Sequence, residues 1–548
     1  MSMDSYDVAM ILFCVGCLVG SGQSSTCNVQ CDYDHVTGKA DCSHRNLDCI
    51  PVNYPDTLVM DLTHNNISVL DLDDFNRTFT RLVELYLDYN RVADVASLMS
   101  STEMGSLTKL SVQHNIISNL GFPCSLDSLE FMLVDNNLLK YLHDFSNCQR
   151  LKHFSADSNE LHSISIQLHR ESFPSFVSLR FNRITNVNIA KTTTGVYNLT
   201  LLLDYNEASR VQLRGYPIDR LSLSHSKLQV INIPVPTKLI IASDGLNRLN
   251  NKLWTFQPGN KLIETLDIRN NSFDSLIQPD WAEGLQILHA DDNILANLSS
   301  KTLKGFVDLK ELHLASNRLL FISSTALSHL TMLRSLYLDG NFLTSLLGGI
   351  FLSQAELVEL SITNNQLSFL HPDYFIGLNS LERLYLTRNR LLYVHSGMFR
   401  QMSRLNTLDI SQNELNVFDS TNCSFLNHLE NLLLAHNSIH DISCVLGHCD
   451  SLVMLNLSFN QIKVVPGVSL TGKNRALSRL ELEGNPLQCD CRLTGLRDWL
   501  LNNPPSALPR CQGPPRYSGA VITNLGIHDF SCSPPKVMIK ENQLNEYG

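Results

Sequence analysis

Reactive side chains are plentiful in this sequence, but their spacing assigns them little chemistry. Gly467 to Asn474 reads GVSLTGKN, one residue short of the phosphate-cradling pattern GxxxxGK followed by Ser or Thr. Asn474 stands where the magnesium-ligating hydroxyl belongs, and the string links two of the repeating units described below instead of joining a strand to a long helix. Nucleotide binding is not expected. Neither GxSxG nor HExxH occurs, so the spacings of an esterase nucleophile and of a zinc peptidase are missing. Cys489 and Cys491 have the spacing of two zinc ligands, but in an oxidising compartment such a pair is better read as disulfide-bonded. His64, His114, His225, His289, His313 and His436 lie mostly beside an Asn or between leucines. They read as exposed strand positions, suited to contact more than to metal ligation. No catalytic residue, cofactor or metal is expected, and the chain is not read as an enzyme.

The elements that hold these residues are set by a period. From residue 309 the chain reads LKELHLASNRL, LRSLYLDGNFL, LVELSITNNQL, LERLYLTRNRL, LNTLDISQNEL, LENLLLAHNSI, LVMLNLSFNQI and LSRLELEGNPL. These are instances of LxxLxLxxNxL, the leucine-rich repeat. The Asn column runs through Asn65, Asn90, Asn115, Asn137, Asn159, Asn182 and Asn206, takes Ser226 and Asp244 as substitutes, and resumes at Asn271, Asn293, Asn317, Asn341, Asn365, Asn389, Asn413, Asn437, Asn460 and Asn485. That gives about 19 repeats, mostly 22 to 25 residues apart. In LxL the leucines point to one face and the residue between them to the other. A single turn cannot bury its apolar side alone, so turns stack. The expected fold is an α/β solenoid, a leucine-rich-repeat horseshoe with a parallel sheet on its concave face. The Asn amides turn inward to satisfy backbone groups of the turn. Leu303, Leu327, Phe351, Phe375 and Phe399, each 14 residues before its Asn, should form a convex-side spine, with Cys423 in the next slot. Between Asn206 and Asn271 the spacing becomes 20, 18 and 27, with Pro234 and Pro236. There a change of curvature or a less regular insert is expected, without a break in the solenoid.

Composition and leader place the chain outside the cell. With 43% hydrophobic and 17% charged residues and a net charge of −11, it lacks the basic footprint of a nucleic-acid binder. Val8 to Gly20 is an apolar run of 13 residues followed by small and polar ones, the pattern of a signal peptide. The preceding MSMDSYD departs from that pattern in carrying Asp4 and Asp7 and no Lys or Arg. Thirteen residues are too few to span a bilayer. Seven Asn-x-Ser/Thr acceptors, at Asn66, Asn76, Asn198, Asn270, Asn297, Asn422 and Asn456, agree with export and glycosylation. The expected layout is a signal peptide at 1–23, an N-terminal cysteine cap at 24–55, repeats at 56–488, a C-terminal cap at 489–533 and a polar tail at 534–548.

An open solenoid exposes core at both ends and needs caps. Cys27, Cys31, Cys42 and Cys49 supply one; Cys489, Cys491, Cys511 and Cys532 supply the other. The string NPLQCDCRLTGLRDWL, followed by RCQGPP and DFSC, resembles the C-terminal cysteine cap of extracellular leucine-rich-repeat proteins. ADCSHRNL, ahead of a proline and LTHNNI, is similar to the entry into Toll-like receptor ectodomains, although no membrane span or signalling domain follows here. The resemblance implies pairing of Cys489 with Cys511 and of Cys491 with Cys532. Of the other cysteines beyond the leader, Cys124 and Cys148 are 24 apart, about one turn, within disulfide reach. Cys423 can pair with Cys449 or with Cys444, and the first choice leaves Cys444 as an odd thiol.

Function then falls to the strand face. His313, Tyr337, Ser361, Tyr385 and Asp409 occupy the slot between the two leucines of successive turns, and Asp291, Ala315, Asp339, Thr363 and Thr387 the next outward slot. Strands about 4.8 Å apart make each row a continuous strip, and Tyr is favoured at binding hot spots. The expected ligand-binding residues are His313, Tyr337, Asp339, Tyr385 and Asp409, with Tyr86, Asp88 and Tyr89 as a second candidate. A glycan on Asn456, itself in an inter-leucine slot, would push binding toward earlier turns. The expected partner is a protein or microbial surface ligand, with a homo- or heterodimer possible on the same fold, and neither nucleic acid nor a membrane span is expected. The Toll-like resemblance implies secreted recognition in innate immunity. Adhesion, matrix organisation or growth-factor binding is the alternative, and enzyme inhibition by a wrapping solenoid a third.

Overall fold

The computed structural model describes residues 27 and 29–532, except 71–77, 122–123, 143–147, 169–173, 192–197, 215–217, 248–253, 258–261, 277–279, 396, 419–422, 466–469 and 471–475. The leader, the tail, most of the GVSLTGKN string and the acceptors Asn76 and Asn422 lie outside the described residues. The chain forms two compact units, residues 1–160 with 172–174, and residues 161–171 with 175–548.

A short strand precedes every position of the asparagine column, and within each unit successive strands pair in parallel. In the first unit the run passes from Lys39–Asp41 and Val59–Asp61 to His153–Ser155. In the second it passes from Phe176–Ser178 to Arg479–Glu481. The fold is the leucine-rich-repeat solenoid. Its leucines are sealed from water: Leu312, Leu336, Leu360, Leu384, Leu408 and Leu432, at the centre of successive strands, are each 0% exposed. The spine residues Leu303, Leu327, Phe351, Phe375 and Phe399 are also buried, with Phe351 and Phe375 stacked 6.1 Å apart.

The column asparagines bind turn to turn. Asn389 Nδ2 donates to Leu386 O (3.1 Å) in its own turn and to Ile362 O (2.9 Å) in the preceding one, while its Oδ1 accepts from Leu367 N (3.0 Å). Asn115 repeats the scheme in the first unit, with Leu87 O, Val112 O and Val92 N. Three buried backbone groups are thereby satisfied by one side chain.

The residue just before each column position holds a left-handed backbone, from His64 (φ 55°) and Tyr89 (54°) to Arg388 (56°) and Phe459 (56°), with glycine there only at Gly340 and Gly484 among the described residues. Such a conformation costs an L-residue about 1–2 kcal/mol. It is offset because the same residue's N–H reaches the next turn, as from Arg388 N to Ser411 O (3.0 Å). This corrects the reading of the histidines. His64, His114, His225 and His436 sit in this turn and not on strands, whereas His289 and His313 are strand residues.

Between residues 163 and 257 the second unit carries an additional parallel sheet, Ser163–Leu168, Asn186–Lys191, Arg210–Arg214, Val230–Pro234 and Trp254–Gln257. Its inward residues alternate: Ile164 and Ile166, Val187 and Ile189, Val211 and Leu213, Ile231 and Ile233 are buried. Meanwhile the main strands pair without interruption through Leu199–Leu202, Ile218–Ser222, Lys238–Ile240 and Thr265–Asp267. Turns with a strand as outer segment in place of the Leu/Phe spine thus begin in the regularly spaced repeats after Asn159 and continue through the irregular spacing after Asn206.

The disulfides pair Cys27 with Cys49, Cys31 with Cys42, Cys124 with Cys148, Cys423 with Cys449, Cys489 with Cys511 and Cys491 with Cys532. Cys444 lies on the helix Ser443–His448. In the C-terminal cap the helix Thr494–Asn502 buries Leu496 and Leu500. Glu481 of the last repeat strand accepts from Ser506 N (2.8 Å) and Arg479 Nε (2.8 Å). Among the described residues no helix is long and apolar enough to cross a membrane.

Candidate functional site on the strand face

Strand register places the inter-leucine residues of the second unit in one row: Asp267, His289, His313, Tyr337, Ser361, Tyr385, Asp409, Leu433, Asn456 and Glu481. His289 and His313 have ring centroids 4.3 Å apart, and His313 stacks on Tyr337 at 4.5 Å. Burial, then the neighbouring His313, pulls His289 down to about 4, so its ring is neutral at physiological pH.

Glu359 stands in the adjoining row between the two tyrosine turns. It is gripped by Arg383 through Nε and Nη2, both at 2.9 Å. Burial first, and the Glu359 charge second, raise the phenols of both Tyr337 and Tyr385. Both stay protonated donors at neutral pH. Tyr337, Tyr385 and Asp409 are half-buried; Asp409 Oδ1 accepts from Ser411 N (2.9 Å). Sequence reasoning passed over Glu359 and Arg383, because charged residues in the first strand slot look like ordinary solvated positions.

The aspartates have work inside the fold. Asp339 Oδ1 accepts from Ser361 Oγ and from Thr363 N (2.7 Å) on the next turn. Asp88 does the same with Ser111 Oγ (2.6 Å) and Gln113 N (2.7 Å), Asp135 with Ser155 and Asp157 N, and Asp204 with Ser222 and Ser224 N. Burial raises Asp88 and Asp135 above the usual carboxylate range. The signal was present: LxLD in one turn, or MLVD at Asp135, then Ser in the inter-leucine slot of the next.

In the first unit Tyr86 donates to Glu84 Oε2 (2.6 Å) with Lys109 Nζ 4.8 Å from its ring centroid. Tyr89 belongs to a different surface. It is stacked between His64 (4.3 Å) and His114 (4.0 Å), in a ladder of left-handed turn residues that begins at His44. Tyr86 ends its strand, and Tyr89 lies in the turn that follows.

Of the acceptors, Asn66, Asn198, Asn270 and Asn297 are exposed; Asn270 occupies a left-handed turn position, with Nδ2 on Ser243 Oγ (3.0 Å). Asn456 ends its strand in the row, its Oδ1 accepting from Ser458 N (3.0 Å).

The repeats have counterparts in known proteins. The family model described as "Leucine rich repeat" matches residues 283–343, 333–391 and 380–439. A human chondroadherin-like protein is 35% identical over 99 residues, 18% of this chain and 12% of that protein. The human acid labile subunit of the insulin-like growth factor-binding protein complex is 42% identical over 79 residues, 13% of this chain and 12% of that one. These matches thus span about an eighth of the relatives' length. A chain of the mouse RP105/MD-1 complex superposes with a TM-score of 0.48 at 16% identity, covering 92% of this chain and 100% of that one. By its repeated strands, its inward asparagine column and the family model that matches residues 283–439, this chain carries a leucine-rich-repeat solenoid with disulfide-bonded cysteine clusters at both ends.

Proposed function

We propose that the chain is a secreted recognition protein that binds a protein or pathogen-derived ligand on the strand face of its second unit, in innate immunity. The observation that carries the binding reading is the row His313, Tyr337, Tyr385 and Asp409, in which two raised phenols and an imidazole lie on register-paired strands. Rigid aromatic area with polar tips is what hot spots use. The immune setting rests on the likeness of ADCSHRNL and the strings after it to the entry of Toll-like receptor ectodomains. The named relatives favour a second reading, adhesion or growth-factor binding, since one of them belongs to an insulin-like growth factor-binding complex.

Full-length chain and a Tyr337→Ala/Tyr385→Ala variant, offered to microbial cells and to cultured host cells with their matrix, test both readings. Wild type should be retained on one surface and the variant released. Stability should change by no more than about 0.5 kcal/mol, as for surface substitutions generally. A variant retained like wild type moves the site, with Tyr86 and Tyr89 next in line. Retention on host matrix alone, with expression unchanged by infection, decides for adhesion.

A further inference from the structure

In four places an aspartate in the second outward slot meets a serine one turn on: Asp88 and Ser111, Asp135 and Ser155, Asp204 and Ser222, Asp339 and Ser361. Asp291 keeps the backbone half of that arrangement, accepting from Ala315 N at 2.7 Å, but the serine position is His313. The residue in register on the other side is also a histidine, His289. One ligand atom from each of His289, Asp291 and His313 lies within 4.8 Å of the others. His313 Nε2 is buried with no hydrogen-bond partner, and Glu311 Oε2 is 3.7 Å from it, beyond hydrogen-bonding reach. A buried orphan nitrogen is a cost that a cation would remove.

We propose that His289, Asp291 and His313 form a zinc-class divalent cation site on the strand face. Two imidazoles and one carboxylate are the donor set of an open zinc site, which leaves the fourth position to water or an incoming ligand. Bonds of about 2.0–2.1 Å in a tetrahedron put ligand atoms roughly 3.3 Å apart, so each side chain need move only about 1 Å. The bond from Ala315 N to Asp291 Oδ1 fixes the carboxylate and leaves Oδ2 free, the orienting role that outer partners play around metals. Local charge also favours a cation. Arg269, the nearby guanidinium, is held by Asp267 (Nε–Oδ1 3.0 Å, Nη2–Oδ2 2.7 Å), and Asp292 and Glu311 add negative charge. Lys238 opposes it more distantly. Among the described residues the other three-residue cluster of this kind, Asp490, Cys491 and Cys532, offers no thiolate because its cysteines are bonded to each other.

Isothermal titration of the chelator-stripped full chain with Zn²⁺ alone, paired with Co²⁺ absorption, tests the site. Wild type should bind one ion with a tetrahedral cobalt spectrum, and its unfolding temperature should rise with zinc. His289→Gln, His313→Gln and Asp291→Asn should each weaken binding about tenfold or more. Asp291→Asn retains the acceptor for Ala315 N, so it reports ligation apart from folding. His225→Gln/His436→Gln, away from the site, should bind as wild type. Wild type without a zinc-dependent shift, or a His289→Gln/His313→Gln variant that still binds one ion, overturns the proposal.

Discussion

Replacing Asp244 by asparagine should stabilise this protein above neutral pH. Asp244 occupies the column in which asparagine donates from Nδ2 to two carbonyls, as Asn271 does to Ile241 O (2.9 Å) and Ile268 O (3.0 Å). Asp244 Oδ1 accepts from Ser226 N, whereas Asn389 accepts from the N–H two residues beyond the preceding column position, and Asp244 Oδ2 is buried without a partner. An ionised oxygen cannot donate, so the carboxyl keeps its proton, and burial first of all raises it from 3.8 to about 7. A pKa raised in the folded state means the folded chain holds a proton the unfolded chain releases, so stability falls as pH rises from about 4 to about 7 and is level above. The full shift corresponds to about 4 kcal/mol at 1.36 kcal/mol per unit. Partial exposure lowers that, and the penalty for one unsatisfied buried polar atom is about 1–3 kcal/mol. The asparagine variant should therefore gain about 1–3 kcal/mol at pH 8 and almost nothing at pH 4. Amide hydrogen exchange around Leu223 and Ile241, the carbonyls that an asparagine at 244 would reach by the same scheme, is the suitable assay, because long repeat arrays do not unfold in two states. A gain of equal size at both pH values, or none at pH 8, refutes the reasoning.

Asn389→Ala removes two bonds that link successive turns and one within its own turn; a loss of about 1–3 kcal/mol is expected in local exchange at Leu367, whose N–H loses its acceptor. Ser361→Ala leaves Asp339 with only Thr363 N, and should weaken the strand junction by about 1 kcal/mol in the same measurement. N-terminal sequencing of protein recovered from the medium of expressing cells should begin between Gly20 and Cys27; recovery of Met1 ends the case for export.

The columns were legible because a repeat shows the same physical demand many times over. Leu312 and its counterparts must be buried and Asn389 and its counterparts must satisfy a turn, so residue type follows position. The additional sheet was not legible from spacing alone. Ile164 with Ile166 and Val187 with Ile189 alternate over only a few residues, and each pair sits inside a turn that otherwise keeps the pattern. The left-handed column hid because no one residue type fills it: Tyr89, Phe181, Ser316 and Arg388 share it with Asn136, Asp292, Gly340 and His436, so position and residue type do not go together there. The turn-to-turn bonds of Asp88 and Asp339 were hidden because the serines that donate to them lie a whole turn away in sequence. For the zinc-class cluster, His289 and Asp291 are two apart but His313 joins them only through strand register.

Each column asparagine completes the turn before its own, so the second unit has a mechanical direction. Pulled from its C-terminal end, it must lose Asn485 before the turn holding Ile462 is exposed, then Asn460 before that of Ile439. Every such step breaks a similar set of bonds and frees one turn, about 80 Å of extended chain at roughly 3.5 Å per residue. Force against extension should therefore rise and fall as a sawtooth of nearly even teeth. The tooth spanning Cys423 to Cys449 is the exception: their bond closes 26 residues into a loop, and that length appears only after reduction.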